Sequence, residues 1–414
     1  MQYRFDLGVK YYYAKCYRKG IQCNYPIDLY RQLIRSFSNG IEIARDDGKH
    51  DVIPSKKGLD DFVRKFNELI DSITKGFDPN HPIPQSKQNQ IITDGSHRLA
   101  VCLCLGVEPI FQPIDKVGCT NWNYQYFMQY SPHYHLPAHS ADTIALNNLE
   151  LMHRAGDDRV RSIVVYASTG AAGKYQDVEN IIRSYGVIMY RKIIPLTLRG
   201  QYNLIKELYR GEPWVGGVFP PTNDEKYRNY TSAHHPIRFY LFHFNNGADD
   251  KEMKRKIRDI YKINNYSIHA TDQYVDTFRT ATALLNENSI HFLNRANTRV
   301  SSKTKNSLTS YFNTVKTDED YMLTGSVVME LYGLRAANDV DYISRETTEL
   351  KLEGVGRHKA IWLDYYHAPT DELLYNPTNY FYFNGHKCLS LSALKLMKSK
   401  RGEPKDLKDV VLIG

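Results

Sequence analysis

No two cysteines in this chain are spaced as Cys-x-x-Cys, and no Cys/His ladder of the zinc-binding kind occurs. Cys16, Cys23, Cys102, Cys104, Cys119 and Cys388 therefore offer no framework for a structural metal. Cys102 and Cys104 sit in an apolar run and read as small buried hydrophobes. Cysteines without a pairing pattern fit a reducing compartment, so a cytoplasmic location is expected. No stretch reaches the ~18 apolar residues of a membrane span, and the opening Met-Gln-Tyr-Arg-Phe-Asp has no secretory apolar region. A large excess of one charge is also missing. Lys and Arg number 54 against 46 Asp and Glu, a net charge of +8 over 414 residues. Such a balance accommodates a phosphorylated ligand without demanding nucleic acid, which is not expected as a partner. With 42% hydrophobic and 24% charged residues, extensive disorder is excluded, and the length implies two or three domains. The 32 tyrosines are assigned mainly to core and half-buried surface.

The most informative stretch is Ile91–Leu99, Ile-Ile-Thr-Asp-Gly-Ser-His-Arg-Leu. A β-branched run ends at Asp94-Gly95, and an apolar helical run starts after Arg98. Gly95 allows a tight turn, and Ser96 is the expected N-cap. His97 and Arg98 then fall where unpaired backbone N–H groups point outward, an arrangement that suits an anion. Arg98 adds a fork for phosphate. Upstream, Leu59, Phe62, Val63, Phe66, Leu69, Ile70 and Ile73 keep helical spacing, and Gly76 stops the run.

The order of "ELIDSITKGFDPNHPIP" and "IITDGSHRLA" resembles the ParB/sulfiredoxin-like domain over roughly residues 40–115. Members of that superfamily bind or cleave nucleoside triphosphates, some as free-serine kinases and others as DNA-segregation CTPases. The resemblance implies that Asp94, His97 and Arg98 lie near phosphate, with Gly95 and Ser96 forming the turn that holds it. It also implies a carboxylate ahead of the long helix acting as general base on an alcohol, for which Glu42, Asp46, Asp47 and Asp51 are candidates, Asp47 chosen among them.

Residues 1–40 interleave Tyr3, Arg4, Tyr11, Tyr12, Tyr13, Lys15, Tyr17, Arg18 and Lys19 with apolar positions. Such a mixture suits nucleotide binding or a solvated, edge-like strand pair, and the strand pair is the reading adopted. Ile41–Ile43 and Val52-Ile53-Pro54 read as strand segments around the turn Asp46-Asp47-Gly48. Pro132 and Pro137 mark a linker over Ser131–Ala141, and its histidines, His133, His135 and His139, are read as solvated.

Between about 145 and 300, strands at Val160–Ala167, Val187–Ile194 and Ile237–Phe244 alternate with helices at Val178–Tyr185, Tyr202–Tyr209, Lys251–Tyr261 and Tyr274–Leu285. That order predicts an α/β domain with a largely parallel sheet. The loop Gly170–Lys174 resembles a phosphate cradle, yet it lacks the first glycine of a P-loop and has Tyr175 where Ser or Thr belongs. Thr271 or Asp272 is the expected cap of the following helix. His269, Asp272 and His291 are assigned structural roles, with a pocket as the other option.

A third unit follows Arg295–Ser307. Tyr321–Thr324 is a short strand, Gly325-Ser326 opens the helix Val327–Tyr332, and Asp339–Ile343 forms another strand. Asp339 and Asp341, two apart on a strand, share a face, and two such carboxylates call for a cation between them. "GSVVMELYGLRAANDVDYI" resembles the nucleotidyltransferase fold typified by polymerase β, over about residues 318–414. That resemblance implies that Asp339 and Asp341, with Asp364 as a third carboxylate on a later strand, hold Mg²⁺, and that Gly325 and Ser326 bind a triphosphate.

The expected architecture is thus α/β and α+β in three domains: a ParB/sulfiredoxin-like one over 1–135, a central α/β one over 145–300 and a nucleotidyltransferase-like one over 305–414. The expected function is transfer of a phosphoryl or nucleotidyl group from ATP or another NTP, with Mg²⁺, to a hydroxyl of a small molecule or sugar precursor. Fusion of two transfer domains suggests surface-polysaccharide synthesis as its context. The alternatives are a ParB-like DNA-binding CTPase and a nucleotide sensor without turnover. The first would need a helix-turn-helix after Arg98; Asn121–Tyr134 is instead rich in Tyr and interrupted by Pro132, and an α/β order follows.

Overall fold

A computed structural model of the chain describes residues 4–41, 56–119, 121–170, 174–220, 225–316 and 318–414. It is mixed α/β and divides into two compact units, Met1–Val160 and Arg161–Gly414. Among the described residues, no helix is long and apolar enough to cross a membrane.

The first unit holds α1 (Asp6–Arg18), α2 (Tyr25–Ser38), α3 (Leu59–Lys75), β1 (Ile83–Ser86), α4 (Ser96–Leu105), β2 (Phe111–Ile114) and α5 (Ala138–Arg154). The strand pair expected for residues 1–40 is not there; the segment forms α1 and α2. The reason lies in α1, which packs against α2, α3, α4 and α5 at once and is buried almost all round. Its lysines are therefore not on a polar face. Lys10 pairs inside the unit with Asp6, and Lys15 pairs with Glu150 of α5. A helix enclosed on all sides shows no amphipathic stripe, so the periodicity that reveals most helices is missing.

The α3 helix does carry that stripe, burying Phe62, Phe66, Ile70 and Ile73, and Gly76 follows its last residue. Phe66 stacks on Tyr13 (centroids 5.3 Å apart) and meets Tyr30 at 5.0 Å and the His97 ring at 4.8 Å. We expect Phe66→Ala to cost about 3–5 kcal/mol, the usual cost of emptying a buried aromatic site, read by chemical denaturation of the full chain. The α4 helix links β1 and β2, which pair in parallel with Ile83 opposite Phe111. Pro137 is the residue before α5, and α5 packs on α1, so the chain from Ser131 to Arg154 belongs to the first unit. The division seen here is twofold, against the threefold one drawn from the sequence.

The second unit contains β3 (Val160–Val165), α6 (Tyr175–Tyr185), β4 (Gly186–Ile194), α7 (Leu198–Leu208), β5 (Ile237–Phe244), α8 (Asp250–Tyr261), β6 (Ile268–Ala270), α9 (Tyr274–Leu284), α10 (Glu287–Arg295) and α11 (Ser302–Val315). It continues through β7 (Tyr321–Thr324), α12 (Ser326–Tyr332), β8 (Val340–Ser344), β9 (Val355–Arg357), α13 (Ala360–Leu363) and α14 (Thr370–Tyr375). The last elements are β10 (Tyr380–Phe383), β11 (His386–Leu389), α15 (Leu391–Arg401) and α16 (Pro404–Ile413). One sheet runs β4-β5-β3-β6. Its β4–β5 and β3–β6 pairs are antiparallel, which corrects the expected largely parallel sheet. Alternation of strands and helices along the chain gives the order of elements, and strand direction depends on how each connection returns to the sheet. A second sheet runs β10-β11-β7-β8-β9, with β7 and β8 antiparallel and β8 and β9 parallel.

Candidate functional site

In the first unit, Gly95 takes up a left-handed conformation (φ 78°, ψ 21°) and is itself the residue that precedes α4. Ser96 is then the first helical residue rather than the cap, and its Oγ accepts a hydrogen bond from the Lys10 ammonium at 2.6 Å. The turn borders a cavity of about 310 Å³, lined in part by Arg4, Lys10, Lys56, Asp94, Ser96 and His97. The charge there is organised from beneath by Asp6, which is fully buried. Asp6 receives Arg4 Nε and Nη2 at 3.0 Å each and Lys10 Nζ at 2.5 Å. Burial raises the Asp6 pKa, but the Arg4 and Lys10 charges outweigh it and hold the carboxyl well below the usual carboxylate range. Lys10 feels burial first, which lowers its pKa, and Asp6 opposes that pull.

Lys10 is 2% exposed, and an ammonium has three N–H donors. Asp6 and Ser96 take two, leaving a third for the cavity that Lys10 lines. Among the described residues, three cations (Arg4, Lys10, Lys56) face two carboxylates (Asp6, Asp94), a positive excess suited to an anion. His97 contributes differently. Burial holds its pKa well below the ordinary imidazole value, so the ring is neutral at pH 7. Its Nε2 shares a 2.9 Å hydrogen bond with the Tyr30 hydroxyl, and the ring packs edge-on against Phe66.

Arg98 is not among the cavity residues. Its Nη1 donates to the carbonyls of His81 at 2.6 Å and Pro82 at 3.2 Å, tying the loop before β1 to α4. The fork expected at phosphate is thus engaged with backbone, and the cations that face the cavity are Arg4 and Lys10, from α1 and its approach, and Lys56, ahead of α3. Sequence reading missed Lys10 because it missed α1. As a helix, Asp6 and Lys10 are an i,i+4 pair, the signal that would have joined them. Asp47 and the other candidate bases, Glu42, Asp46 and Asp51, lie outside the described residues, as does all but Ile41 of the strand–turn–strand expected over 41–54.

In the second unit, the turn from β7 into α12 meets the start of β8. Gly325 has φ 72°, and a Cβ placed on it would lie 2.6 Å from Asp341 Oδ2. The absent side chain is what lets that carboxylate sit against the turn. Asp339 precedes β8 and is exposed, and its Oδ1 accepts from Ser326 Oγ at 3.2 Å. Gly325, Ser326, Asp339 and Asp341 therefore converge. Asp341 Oδ2 is also 3.4 Å from His358 Nε2. The other ring nitrogen of His358 bonds the Tyr366 hydroxyl at 2.9 Å, and that hydroxyl reaches Thr324 Oγ1 at 2.7 Å. Thr324 pairs with Asp341 across β7 and β8, so the network closes on itself. His358 and Tyr366 carry no motif that would have singled them out in the sequence.

Asp364 is placed elsewhere. It was expected on a strand, but Ala360–Leu363 is a helical turn, and Asp364 is the exposed residue that ends it, its carbonyl accepting from Lys400 Nζ at 2.6 Å. The next strand beside β8 is β9, which leads into His358 and carries no carboxylate. Among the described residues, no group of three His, Cys, Asp or Glu side chains could by itself hold a metal ion. Two carboxylates and a serine hydroxyl remain a set of hard oxygen donors, which fits Mg²⁺ bound through protein carboxylates and substrate phosphates together. The α12 helix has seven residues, too short for its N-terminus to count as an anion site on its own.

Other sequence candidates have structural partners. Thr271 bonds Ser162 N and the Thr277 hydroxyl, and α9 is preceded by Gln273, so neither Thr271 nor Asp272 caps it. His291 bonds the Tyr332 hydroxyl at 3.1 Å. His269 and Asp272 do line one cavity, with Tyr209, Trp214 and Tyr230 beside them. Residues 171–173 of the glycine-rich loop lie outside the described residues. The chain matches no family model, no curated protein and no solved structure in the comparisons made with each.

Proposed function

We propose that this chain is an NTP-dependent transferase whose C-terminal part is a nucleotidyltransferase-like domain and whose N-terminal unit is a ParB/sulfiredoxin-like nucleotide-binding domain. The carrying observation is the fit of Asp341 against a glycine that has no room for a Cβ, beside Asp339 and Ser326. Asp339 and Asp341 would hold Mg²⁺, which supplies charge neutralisation for a triphosphate and for the pyrophosphate that leaves it. Ser326 orients Asp339 by donating to it, while His358, fixed by Tyr366, sets the rotamer of Asp341. An acceptor hydroxyl attacks the α-phosphorus in line and gives up its proton to solvent, the bond from the α-phosphorus to the α–β bridging oxygen breaks, and pyrophosphate departs. The acceptor is a small-molecule or sugar-precursor alcohol, and the setting is the cytoplasm.

In the N-terminal unit, Lys10 and Arg4 are the proposed phosphate ligands, with Asp94 and His97 on the cavity wall. Support comes from the spare Lys10 N–H and the positive excess around it. The test is pyrophosphate release by the full chain from ATP, CTP, GTP and UTP, each with a metabolite extract and Mg²⁺ or Mn²⁺. Metal-dependent release that requires the extract is expected. Absence of release and of any labelled product with all four nucleotides would remove the transferase reading.

A further inference from the structure

A cavity of about 530 Å³ in the second unit lies away from the paired aspartates and has no role in the reaction proposed above. It is bounded by α7, α10 and the segment that leads into α11, and its volume is in the ordinary range for a small-molecule site. Its chemistry is one-sided. Arg199, Lys206, Arg210, Arg299 and Lys305 reach it, against a single carboxylate, Glu207.

That carboxylate is already neutralised. Glu207 and Arg210 form a buried ion pair through Arg210 Nε at 3.0 Å, and the second oxygen of Glu207 accepts the backbone N–H of Asn384 at 2.9 Å. Arg210 is spent in the same way, on Glu207, on the Val218 carbonyl and over the face of Phe383 at 4.1 Å. Among the described residues, the side chains of Arg199, Arg299 and Lys305 have no hydrogen-bond or ion-pair partner. Three uncompensated cations converging on one concavity raise each other's electrostatic energy, and a multiply charged anion is what relieves it. The remaining wall is apolar. Half-buried Phe219 lies nearly parallel to Phe383, with centroids 6.4 Å apart, and offers a flat surface beside the cations.

The cavity touches the opposite end of α12 from the aspartates. Asn297 N donates to the Tyr332 carbonyl at 3.0 Å, and Thr298 Oγ1 donates to that of Leu331 at 2.7 Å. Seven helical residues, about 10 Å, separate that end from Gly325. The site is therefore separate from the Mg²⁺ carboxylates and stands whether or not they are catalytic.

We propose that this cavity binds an organic phosphate carrying at least two negative charges and a flat apolar group, with Arg199, Arg299 and Lys305 on the phosphates and Phe219 against the apolar part. The test follows chemical modification of Arg199 and Arg299 by phenylglyoxal, read by peptide mass spectrometry on the full chain in EDTA. ADP is the probe, with adenosine and inorganic pyrophosphate as its two halves. Expected is protection of both arginines by ADP, at least tenfold higher concentrations for pyrophosphate, and none by adenosine. Arg299→Glu, an exposed position, should raise the ADP concentration that half-protects Arg199 at least tenfold, the effect of losing one charge-assisted contact. Unchanged modification in ADP, or protection undiminished in Arg299→Glu, would overturn the proposal. So would equal protection by pyrophosphate and ADP, or protection by a ten-residue thymidine oligonucleotide alone.

Discussion

Asp341→Asn is expected to lower metal-dependent pyrophosphate release by at least about a hundredfold, with the fold retained. The asparagine keeps the size of the side chain but loses the charge that a divalent cation needs, and losing one preorganised electrostatic partner typically costs about 10²–10³ in rate. Its structural cost is small. The Asp341 side chain is partly exposed, and its protein partner His358 stands at 3.4 Å, beyond a strong charge-assisted hydrogen bond. Thermal unfolding of the variant should stay within a few degrees of wild type. Gly325→Ala is the companion experiment. An alanine at φ 72°, ψ −143°, a region essentially confined to glycine, costs about 1–3 kcal/mol in backbone strain, and its methyl would displace the Asp341 carboxylate from 2.6 Å. Release should then fall by far more than the loss of stability explains. Wild-type rates in both variants, with binding elsewhere intact, would reduce this part of the chain to a module without turnover.

The juxtaposition of the Gly-Ser turn and the paired aspartates was legible because the spacing of these residues carries its own geometry. Gly325-Ser326 followed by Asp339-Val340-Asp341 places a turn and two carboxylates without knowledge of the rest of the chain, and the structure does bring these four side-chain positions together. The amphipathic α3 and its terminal Gly76 were legible for the same reason, since both are local signals. What the sequence concealed depends on long-range packing. The α1 helix has Lys10 and Lys15 inside, where partners distant in sequence, Ser96 and Glu150, satisfy them. A pattern of lysines and tyrosines cannot reveal such partners. Strand direction in the β4-β5-β3-β6 sheet is likewise set by tertiary return paths. Arg98 illustrates a further limit. Its position at the head of α4 matched a phosphate ligand, but two carbonyls brought near by the preceding loop hold it.

Asp6→Asn is expected to destabilise the first unit by about 3–5 kcal/mol, because it removes the carboxylate and leaves the buried Lys10 ammonium and Arg4 guanidinium facing each other. The pH dependence has a definite sign. The folded-state pKa of Asp6 is lowered, so its contribution is present above the unfolded value of about 3.9 and is lost as pH falls through the folded one. Wild type should therefore lose stability below about pH 4, and Asp6→Asn should lack this part of the acid slope. Calorimetry of the full chain between pH 3 and 8 measures both quantities. An apolar replacement separates stability from function. Exchanging a buried ionic triad for hydrophobic groups of similar volume is often neutral or stabilising. The triple variant Arg4→Met, Asp6→Leu, Lys10→Met should accordingly unfold near the wild-type temperature. It should nevertheless lose nucleotide affinity at the N-terminal cavity, since the spare Lys10 N–H and the positive excess both disappear. If the triple variant binds nucleotide as wild type does, the triad is scaffolding and the N-terminal cavity is not the phosphate site. If it melts normally and no longer binds, the cost of burying three charges beneath the turn at Gly95 is the cost of holding an anion there.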